Sequence, residues 1–274
     1  MPTILLICLR LFAYVGSCTY NISVISLKTL SFVGVINVSY DPTSMAFTPN
    51  GTMAYVTSGQ NSKGGPSQNI SVLNTLSNKL IATIVDKNLS YTCSDAVSPN
   101  GSILAVSSCG NLSLFNTGTL AQEKNFQETS YRFEKVAFTE NGSDIIVLTS
   151  SNVQPNDHSL KEISPANYSI RNITSFQTSG STFAITENGT SVYCPVENGL
   201  LRGVEEFNLS NGKPQATING ILQYSGGNLL IPSSSYTGQV LFSENGLPSG
   251  SLWSVILNGM KYSSHNSSIT AYSD

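Results

Sequence analysis

Short apolar runs along the chain alternate with polar residues, and turn residues separate one run from the next. The segment AFTPNGTMAYVTS at Ala46–Ser58 places two such runs on either side of Asn50-Gly51. Alternating apolar, β-branched and aromatic residues are typical of strands, and Asn-Gly tolerates the positive φ angles of a tight hairpin turn. The pattern therefore predicts an antiparallel hairpin. No stretch has a sustained helical apolar period, so we expect an all-β protein.

The same hairpin returns along the chain. The further copies are AVSPNGSILAVSS (Ala96–Ser108), AFTENGSDIIVLTS (Ala137–Ser150), AITENGTSVYCPV (Ala184–Val196) and a weaker QYSGGNLLIPSSS (Gln223–Ser235). The turn asparagines Asn50, Asn100, Asn141 and Asn188 are separated by 100−50=50, 141−100=41 and 188−141=47 residues. Self-similarity at this period indicates a repeat architecture.

Two more strands are expected in each repeat. ISVISL (Ile22–Leu27), ISVLNT (Ile70–Thr75) and LSLFNT (Leu112–Thr117) are predicted third strands, and FVGVINV (Phe32–Val38) and LIATIV (Leu80–Val85) are predicted fourth strands. Four short strands per repeat of roughly 40–50 residues is the pattern of a β-propeller blade. The alternative, an all-β sandwich, gives no reason for one hairpin sequence to recur at this interval.

The sequence predicts a propeller of four-stranded antiparallel blades, five to seven in number, in a ring that is not necessarily complete. Its parts are the last strands of one blade at 4–38, full blades at 41–88, 91–130, 131–176 and 178–220, and a partial blade at 221–238. Two interpretations stay open. Residues 221–238 supply the missing strand to 4–38 and close five blades, or the chain is a fragment of a larger ring.

The first residues also allow two interpretations. Ile4–Leu9 is apolar enough for a short export signal, and Val15–Cys18 loosely resembles a lipoprotein cleavage site. However, the segment lacks a basic start and Arg10 interrupts it. AYVGS (Ala13–Ser17) nearly repeats AYVTS (Ala54–Ser58), which favours a repeat strand.

AFTPNGTMAYVTS followed by ISVLNTLSNKLIATI resembles the YVTN-type β-propeller repeat. The resemblance covers roughly residues 10–240 and is most specific in the second predicted blade. It implies a propeller like those of archaeal surface-layer proteins and related exported proteins. Lactonase and quinoprotein propellers are similar in fold, but their activities need charged or histidine-rich sites.

The sequence pattern changes at Gln239, which makes 1–238 the predicted propeller domain and 239–274 a separate segment. FSENGLPSGSLWSVILNG resembles a short β-sandwich-like repeat of exported archaeal proteins. Trp253–Leu257, an Asn258-Gly259 turn and Met260–Ser263 predict a β-hairpin. A segment this short cannot easily bury a core alone, so we expect a partial β-sandwich or a hairpin docked on the propeller, with Trp253 as a core anchor.

The composition narrows the function classes. Charged residues make up 11% of the chain, against roughly 25% in typical soluble domains. A net charge of −3 and a pI near 5.4 provide no basic surface for nucleic acid. No apolar run reaches the ~18–20 residues of a membrane span.

Among the five cysteines, Cys93 and Cys109 lie on the two predicted strands of one hairpin. A turn centred on Asn100-Gly101 places Cys93 opposite Ser108 or Cys109, so a cross-strand disulfide is a candidate in an oxidising compartment. The alternative is two ordinary small buried thiols. No CxxC pair indicates a zinc site, and an odd count leaves at least one thiol unpaired.

The chain holds thirteen N-x-S/T sequons, of which four have turn asparagines. The nine remaining candidate N-glycosylation sites are Asn21, Asn37, Asn69, Asn88, Asn111, Asn167, Asn172, Asn208 and Asn266. Glycosylation is expected only if the protein is exported.

Chemistry-bearing residues are sparse. The two histidines, His158 and His265, cannot form a metal pair by local spacing, and no nucleophile elbow, HExxH or phosphate-binding loop is present. Asp95 is unusual because sister repeats have Met45, Val136 or Phe183 at its position. It either faces the central channel or hydrogen-bonds to a neighbouring blade.

We therefore expect a non-catalytic extracellular or cell-surface scaffold that serves structure, adhesion or ligand binding, with no cofactor or metal. Its expected partner is a protein or glycan at the cell surface. One alternative is a lactonase-like or quinoprotein-like enzyme with a site at the channel mouth, which predicts clustered ionisable groups with shifted pKa values. Another is a sensor or docking domain that uses rim loops such as Gly59–Gln68.

Overall fold

The fold is known from a computed structural model. It describes residues 7–9, 12–17, 20–59, 65, 67–154, 156–178, 180–186, 188–198, 201–219, 238–243, 253–257, 260–265 and 268–273. These residues contain strands and turns and no helix. The chain divides into two compact units, Met1–Leu230 and Ile231–Asp274.

Five four-stranded antiparallel sheets follow one another along the first unit, and each joins its strands in chain order. Blade I contains β1 (Ile7–Leu9), β2 (Phe12–Ser17), β3 (Asn21–Ser26) and β4 (Ser31–Asn37). Blade II contains β5 (Pro42–Phe47), β6 (Met53–Ser58), β7 (Asn69–Asn74) and β8 (Lys79–Val85). Blade III contains β9 (Thr92–Val97), β10 (Ile103–Ser108), β11 (Asn111–Asn116) and β12 (Gln122–Gln127). Blade IV contains β13 (Tyr131–Phe138), β14 (Ile145–Ser151), β15 (Asp157–Ile163) and β16 (Ile170–Gln177), and blade V contains β17 (Ala184–Ile185), β18 (Ser191–Asn198), β19 (Leu201–Asn208) and β20 (Pro214–Asn219).

The apolar cores lie between successive blades. Between blades I and II, Tyr14, Ile22 and Val24 pack with Met45 and Val56. Three further clusters fill the II–III, III–IV and IV–V junctions in the same way. Each blade buries both faces of its middle strands, so these strands are nearly continuous apolar runs and their alternation is weak.

The recurring turn is built from its own side chains. The backbone N–H of Gly51 donates to the carbonyl of Thr48 at 2.8 Å. The Asn50 Oδ1 accepts from the Thr48 Oγ1 at 2.8 Å and from the Thr52 N–H at 3.1 Å. The same pattern surrounds Asn100, Asn141 and Asn188. Antiparallel pairing of the flanking strands is confirmed, but in these turns the glycine alone takes a positive φ while the asparagine accepts hydrogen bonds.

Turns of neighbouring blades pack on one another. A Cβ placed on Gly101 would lie 3.3 Å from the Cδ of Pro49, and one on Gly142 would lie 3.3 Å from the Cδ of Pro99. Both glycines have positive φ, at 77° and 69°. Glycine is therefore needed at this position both for its backbone conformation and for the approach of the preceding blade.

Two equivalent tyrosines on second strands also bridge blades. The Tyr14 hydroxyl donates to the Asn78 Oδ1 at 2.6 Å, across the I–II junction. The Tyr55 hydroxyl donates to the Thr117 carbonyl at 3.4 Å, across the II–III junction. Ala105 takes the same repeat position in blade III, so the III–IV junction has no such bond from that position.

The predicted blades correspond closely to the observed sheets, and the all-β propeller class is confirmed. One detail was wrong, since residues 4–38 were expected to lack a strand. β1 pairs with β2 and completes the four strands of blade I. AYVGS lies in β2, as the repeat-strand interpretation expected. Most of 221–238 lies outside the described residues.

The second unit contains two two-stranded antiparallel sheets. β21 (Gly238–Ser243) pairs with β24 (Ser268–Ser273), and β22 (Trp253–Leu257) pairs with β23 (Met260–Ser264). The second pairing is the predicted hairpin. Trp253 lies at its start, and the surroundings of that side chain are outside the described residues.

Candidate functional site

The first strands of successive blades lie side by side, since β5 contacts β9 and β9 contacts β13. Equivalent repeat positions are occupied by Met45, Asp95 and Val136 on these strands and by Phe183 directly before β17. The three apolar side chains are at most 4% exposed. Asp95 therefore places a carboxyl group where the sister blades bury hydrocarbon.

The Asp95 carboxyl lies against blade II. It accepts a short hydrogen bond from the Ser44 Oγ and one of 3.2 Å from the Thr57 Oγ1. Protein atoms enclose the carboxyl although the residue as a whole is half-buried, and burial raises the pKa of Asp95 to about 7 against the opposing effect of these two bonds. The group thus hydrogen-bonds to its neighbouring blade, through side chains and not through backbone. A role facing the channel stays a prediction.

Lys135 makes the corresponding polar contact at the IV–V junction. Its Nζ donates to the Thr182 Oγ1 at 2.9 Å and lies 5.5 Å from the centre of the Phe183 ring. Burial lowers the pKa of Lys135. This ammonium is held in place by a hydroxyl and an aromatic face of the next blade.

Two cysteines and an arginine meet at the III–IV junction. The Cys93 thiol donates to the Tyr91 carbonyl at 3.4 Å, and Cys109 and Arg132 of β13 are its ionisable neighbours. The neighbouring Cys93 thiol lowers the pKa of Cys109, and the charge of Arg132 acts in the same direction. Both cysteines are free thiols in the structure, so the disulfide stays a prediction.

The expected pairing of Cys93 needs correction. Ser107 pairs with Ser94 and Ser108 pairs with Thr92, so Cys93 is the extra residue of a β-bulge and has no direct partner in the register. A bulge redirects side chains locally. Cys93 therefore pairs with neither Ser108 nor Cys109 in the register.

A polar groove lies between blades IV and V, with a volume of about 580 Å³. Turn residues of both blades and strand residues beneath them form it, among them Glu140, Asn141, Asp144, Glu162, Arg171 and Asn188. The lining is rich in carboxylates, amides and hydroxyls. Groups of this kind hydrogen-bond polar ligands and fix their orientation.

Arg171 lines the groove and is hydrogen-bonded to both blades. Its guanidinium donates to the Glu162 Oε2 at 2.6 Å and to the carbonyls of Leu209 and Ser210 at 2.7 and 3.2 Å. The hydrogen bond to Glu162 raises the pKa of Arg171. The residue connects blade IV to blade V, which fixes the walls of the groove relative to each other.

The groove coincides with a change in the repeat. Pro49 and Pro99 precede the turn asparagines of blades II and III, whereas Glu140 takes that place in blade IV. The nearest neighbour of a Cβ on Gly189 is the Thr139 Cβ at 4.0 Å, so no proline ring fills this junction. Sequence reasoning missed the groove, although the replacement of proline by glutamate was a readable signal.

The candidate glycosylation sites differ in exposure. Asn37, Asn88, Asn167 and Asn172 are exposed, whereas Asn21, Asn69, Asn111 and Asn208 are half-buried. Asn208 lines the groove, and its Oδ1 accepts from the Ser210 N–H at 2.9 Å. Asn266 lies outside the described residues.

His158 is a buried strand residue. It lies in β15, is 5% exposed and stacks on Phe176 at 6.4 Å between ring centres. His265 is exposed.

In the part of the chain that the structure describes, no group of three or more His, Cys, Asp or Glu side chains is arranged to hold a metal ion. Among the same residues, no helix has the length and apolar character to cross a membrane.

The fold and its blades identify the class of protein as an all-β propeller. No family profile matches the chain, and no curated protein matches it. Hydrazine synthase of Kuenenia stuttgartiensis is one of 1436 solved chains that resemble it, with 17% sequence identity and a TM-score of 0.59. The alignment covers 72% of this chain and 59% of that one. An identity this low shows the fold alone, and so many similar structures select no single function.

Proposed function

We propose that the chain is a non-catalytic extracellular or cell-surface scaffold whose groove between blades IV and V binds a neutral glycan. The observation that carries the proposal is the groove itself, where carboxylates, amides and hydroxyls of two blades converge. A sugar presents paired hydroxyl groups, which both donate and accept hydrogen bonds. Carboxylate and amide oxygens accept from them, and amide and hydroxyl groups donate to them.

The charges of the groove favour a neutral ligand over an acidic one. Glu140, Asp144 and Glu162 contribute three carboxylates, while Arg171 is the cation among the lining residues and is engaged by Glu162. An acidic ligand would meet this excess of negative charge. A neutral glycan incurs no such repulsion.

The groups with shifted pKa values support a scaffold more than an enzyme. Asp95, Cys109 and Lys135 lie at three different junctions, and Asp95 and Lys135 each hydrogen-bond to a residue of a neighbouring blade. The enzyme alternative predicts a single cluster at one channel mouth. Asp95 and Lys135 instead hold neighbouring blades together.

The experiment is saturation-transfer NMR on the full chain with a panel of neutral oligosaccharides. Glu140 is exposed and its side chain is outside the apolar cores, so Glu140→Ala tests the groove without disturbing the fold. We expect binding of at least one oligosaccharide and a loss of about tenfold in affinity in this variant, the scale of one hydrogen bond to a charged group. Glu123→Ala, on β12 and away from the groove, is the matched control.

Two results would contradict the proposal. One is the absence of transfer for the whole panel, and the other is equal binding by Glu140→Ala and the unmodified chain. Export has a separate test, since mass spectrometry of native material should find glycans on exposed asparagines such as Asn88 and Asn167. Unmodified asparagines throughout would remove the support that the sequons give to a surface location.

A further inference from the structure

The outer strands of blades I and II carry apolar side chains that are exposed. Six of them lie on these two strands, each between 40% and 66% exposed: Phe32, Val33 and Val35 on β4, and Leu80, Ile81 and Val85 on β8. β4 and β8 contact each other, so these side chains belong to one surface, which we call the outer patch.

The outer patch is large for an exposed apolar surface. Consecutive residues of a strand point to opposite faces, and both Phe32 and Val33 are exposed, so β4 projects beyond the apolar core. Leu30 and Leu76, in the turns that lead into β4 and β8, are even more exposed and extend the patch. Together the eight residues expose on the order of 800 Å², whereas the largest apolar patch of a typical monomer is about 300–600 Å².

β4 and β8 are also sheet edges. Each pairs with one strand, β3 or β7, and within the described residues no strand pairs along its other side. Such an edge presents unpaired backbone N–H and C=O groups, and proteins protect it with charged residues or proline. The outer strands of the other blades have this protection, from Glu123 on β12, Arg171 on β16 and Pro214 on β20. β4 has neither a charge nor a proline, and the one charge of β8 is Lys79 at its first residue.

We propose that the outer patch is a dimer interface, in which it meets the same patch of a second copy of this chain across a two-fold axis. A two-fold interface needs a surface that is complementary to itself. The outer patch has this property, because apolar contacts are non-directional and a strand edge offers both donors and acceptors. Its area also fits, since each partner of a standard interface contributes about 800 Å².

The charges around the patch favour a second copy over a lipid surface. Lys28, Lys79 and Lys87 are the exposed cations in or beside the two outer strands. A segment that recognises anionic lipid carries a cluster of about 4–8 basic residues. The chain as a whole has 13 basic and 16 acidic residues, so its net charge does not attract it to such a surface.

The dimer is independent of the proposed glycan binding. The outer patch lies on blades I and II, whereas the groove lies between blades IV and V. The two proposals therefore stand or fall separately.

Sedimentation velocity of the full chain tests the interface, with dithiothreitol present to exclude a disulfide between copies. The unmodified chain should pass from monomer to dimer as its concentration rises, with a dissociation constant in the micromolar range or below. Val33→Lys and Ile81→Lys should each raise that constant at least about tenfold, because every dimer would bury the new charge twice. Val153→Lys is the matched control. Val153 is an exposed valine of blade IV outside the patch, and its replacement should leave the constant unchanged.

A second measurement needs no variant, so it decides the matter even if Val33→Lys or Ile81→Lys fails to fold. Hydrogen exchange of the unmodified chain should slow for backbone amides of β4 and β8 as the concentration rises, and it should stay constant for those of β12. Unchanged exchange in β4 and β8 would overturn the proposal.

Three results of the first experiment would also overturn it. One is a monomer at every concentration, and another is a dimer that Ile81→Lys weakens no more than Val153→Lys. The third is a monomer that cosediments with vesicles of phosphatidylcholine and phosphatidylserine and loses this binding in Ile81→Lys. That result would assign the outer patch to a lipid surface instead of a second copy.

Discussion

Asp95 and Val136 occupy the same position on the first strands of two successive blades, and their surroundings differ. Val136 is 3% exposed and packs with Leu112 and Val147 in the core between blades III and IV. Asp95 holds two hydroxyl groups of blade II at the preceding junction. The comparison shows that the propeller backbone accepts either an apolar or an ionisable group here, provided that the polar one has partners. Of these two junctions, the II–III junction thereby becomes sensitive to pH through this position.

The largest change in the free energy of unfolding is expected for Asp95→Asn above pH 7. The folded pKa of Asp95 is about 7, well above the unfolded value of about 4. The folded state therefore binds more protons between these two pH values, and the free energy of unfolding falls as the pH rises from 4 to 7. Without the charge, asparagine bonds both hydroxyls by accepting from one with its oxygen and donating to the other with its nitrogen. At pH 8 it should therefore stabilise the protein by about 2–4 kcal/mol, since one pKa unit corresponds to about 1.4 kcal/mol.

Urea unfolding of both proteins at pH 4.5 and pH 8 measures this difference. Comparing variant with parent cancels the other titrating groups, including Cys109. Glu123→Gln changes an exposed carboxylate on β12 and should show no such pH-dependent gain. A constant difference between Asp95→Asn and the parent over this pH range would mean that the carboxyl is not held protonated.

Asp95→Val sharpens the comparison by giving blade III the residue of blade IV. It should also remove the pH dependence. However, it leaves the Ser44 and Thr57 hydroxyls without their acceptor, at a cost of about 1–3 kcal/mol. At pH 8 we therefore expect it to be less stable than Asp95→Asn in the same urea experiment. Equal stability of the two variants would show that these hydroxyls contribute nothing at the junction.

A smaller loss of stability is expected when a tyrosine that bridges two blades is replaced by phenylalanine. Tyr14→Phe removes the 2.6 Å bond to Asn78 and should destabilise the protein by about 1 kcal/mol. Tyr55→Phe removes a longer bond of 3.4 Å to Thr117 and should cost less. Unfolding midpoints in urea measure both, with the exposed Tyr91→Phe as control. If Tyr91→Phe were as costly as Tyr14→Phe, the bridging bonds would not be the cause.

Much of the fold was predictable because its information is local. Asn50-Gly51 and its copies specify hairpin turns within a few residues, and the spacing of these turns specifies the blades. Cys93 shows where local reasoning ends. Counting outward from the Asn100-Gly101 turn gives the register as far as Ser94 and Ser107, but the turn does not specify the bulge beyond them, which recurs at the same position in β5 and β13.

The candidate sites were less predictable because their parts come from different blades. Comparing repeats singled out Asp95 as an anomaly but could not name Ser44 and Thr57 as its partners. Lys135 bonds Thr182 across a sequence separation of 47 positions. The groove depends on how two blades pack, which no single repeat encodes.

The packing of each turn proline on the glycine of the following turn has a consequence for how such a protein changes over evolution. Each repeat of this kind contributes its turn glycine to the junction with the preceding blade and its turn proline to the junction with the following blade, as Pro49 with Gly101 and Pro99 with Gly142 show. A duplication or deletion of one whole repeat within the gene therefore preserves a proline–glycine contact at both junctions. Where Glu140 replaces the proline, the contact is lost, and the surface at that junction can diverge.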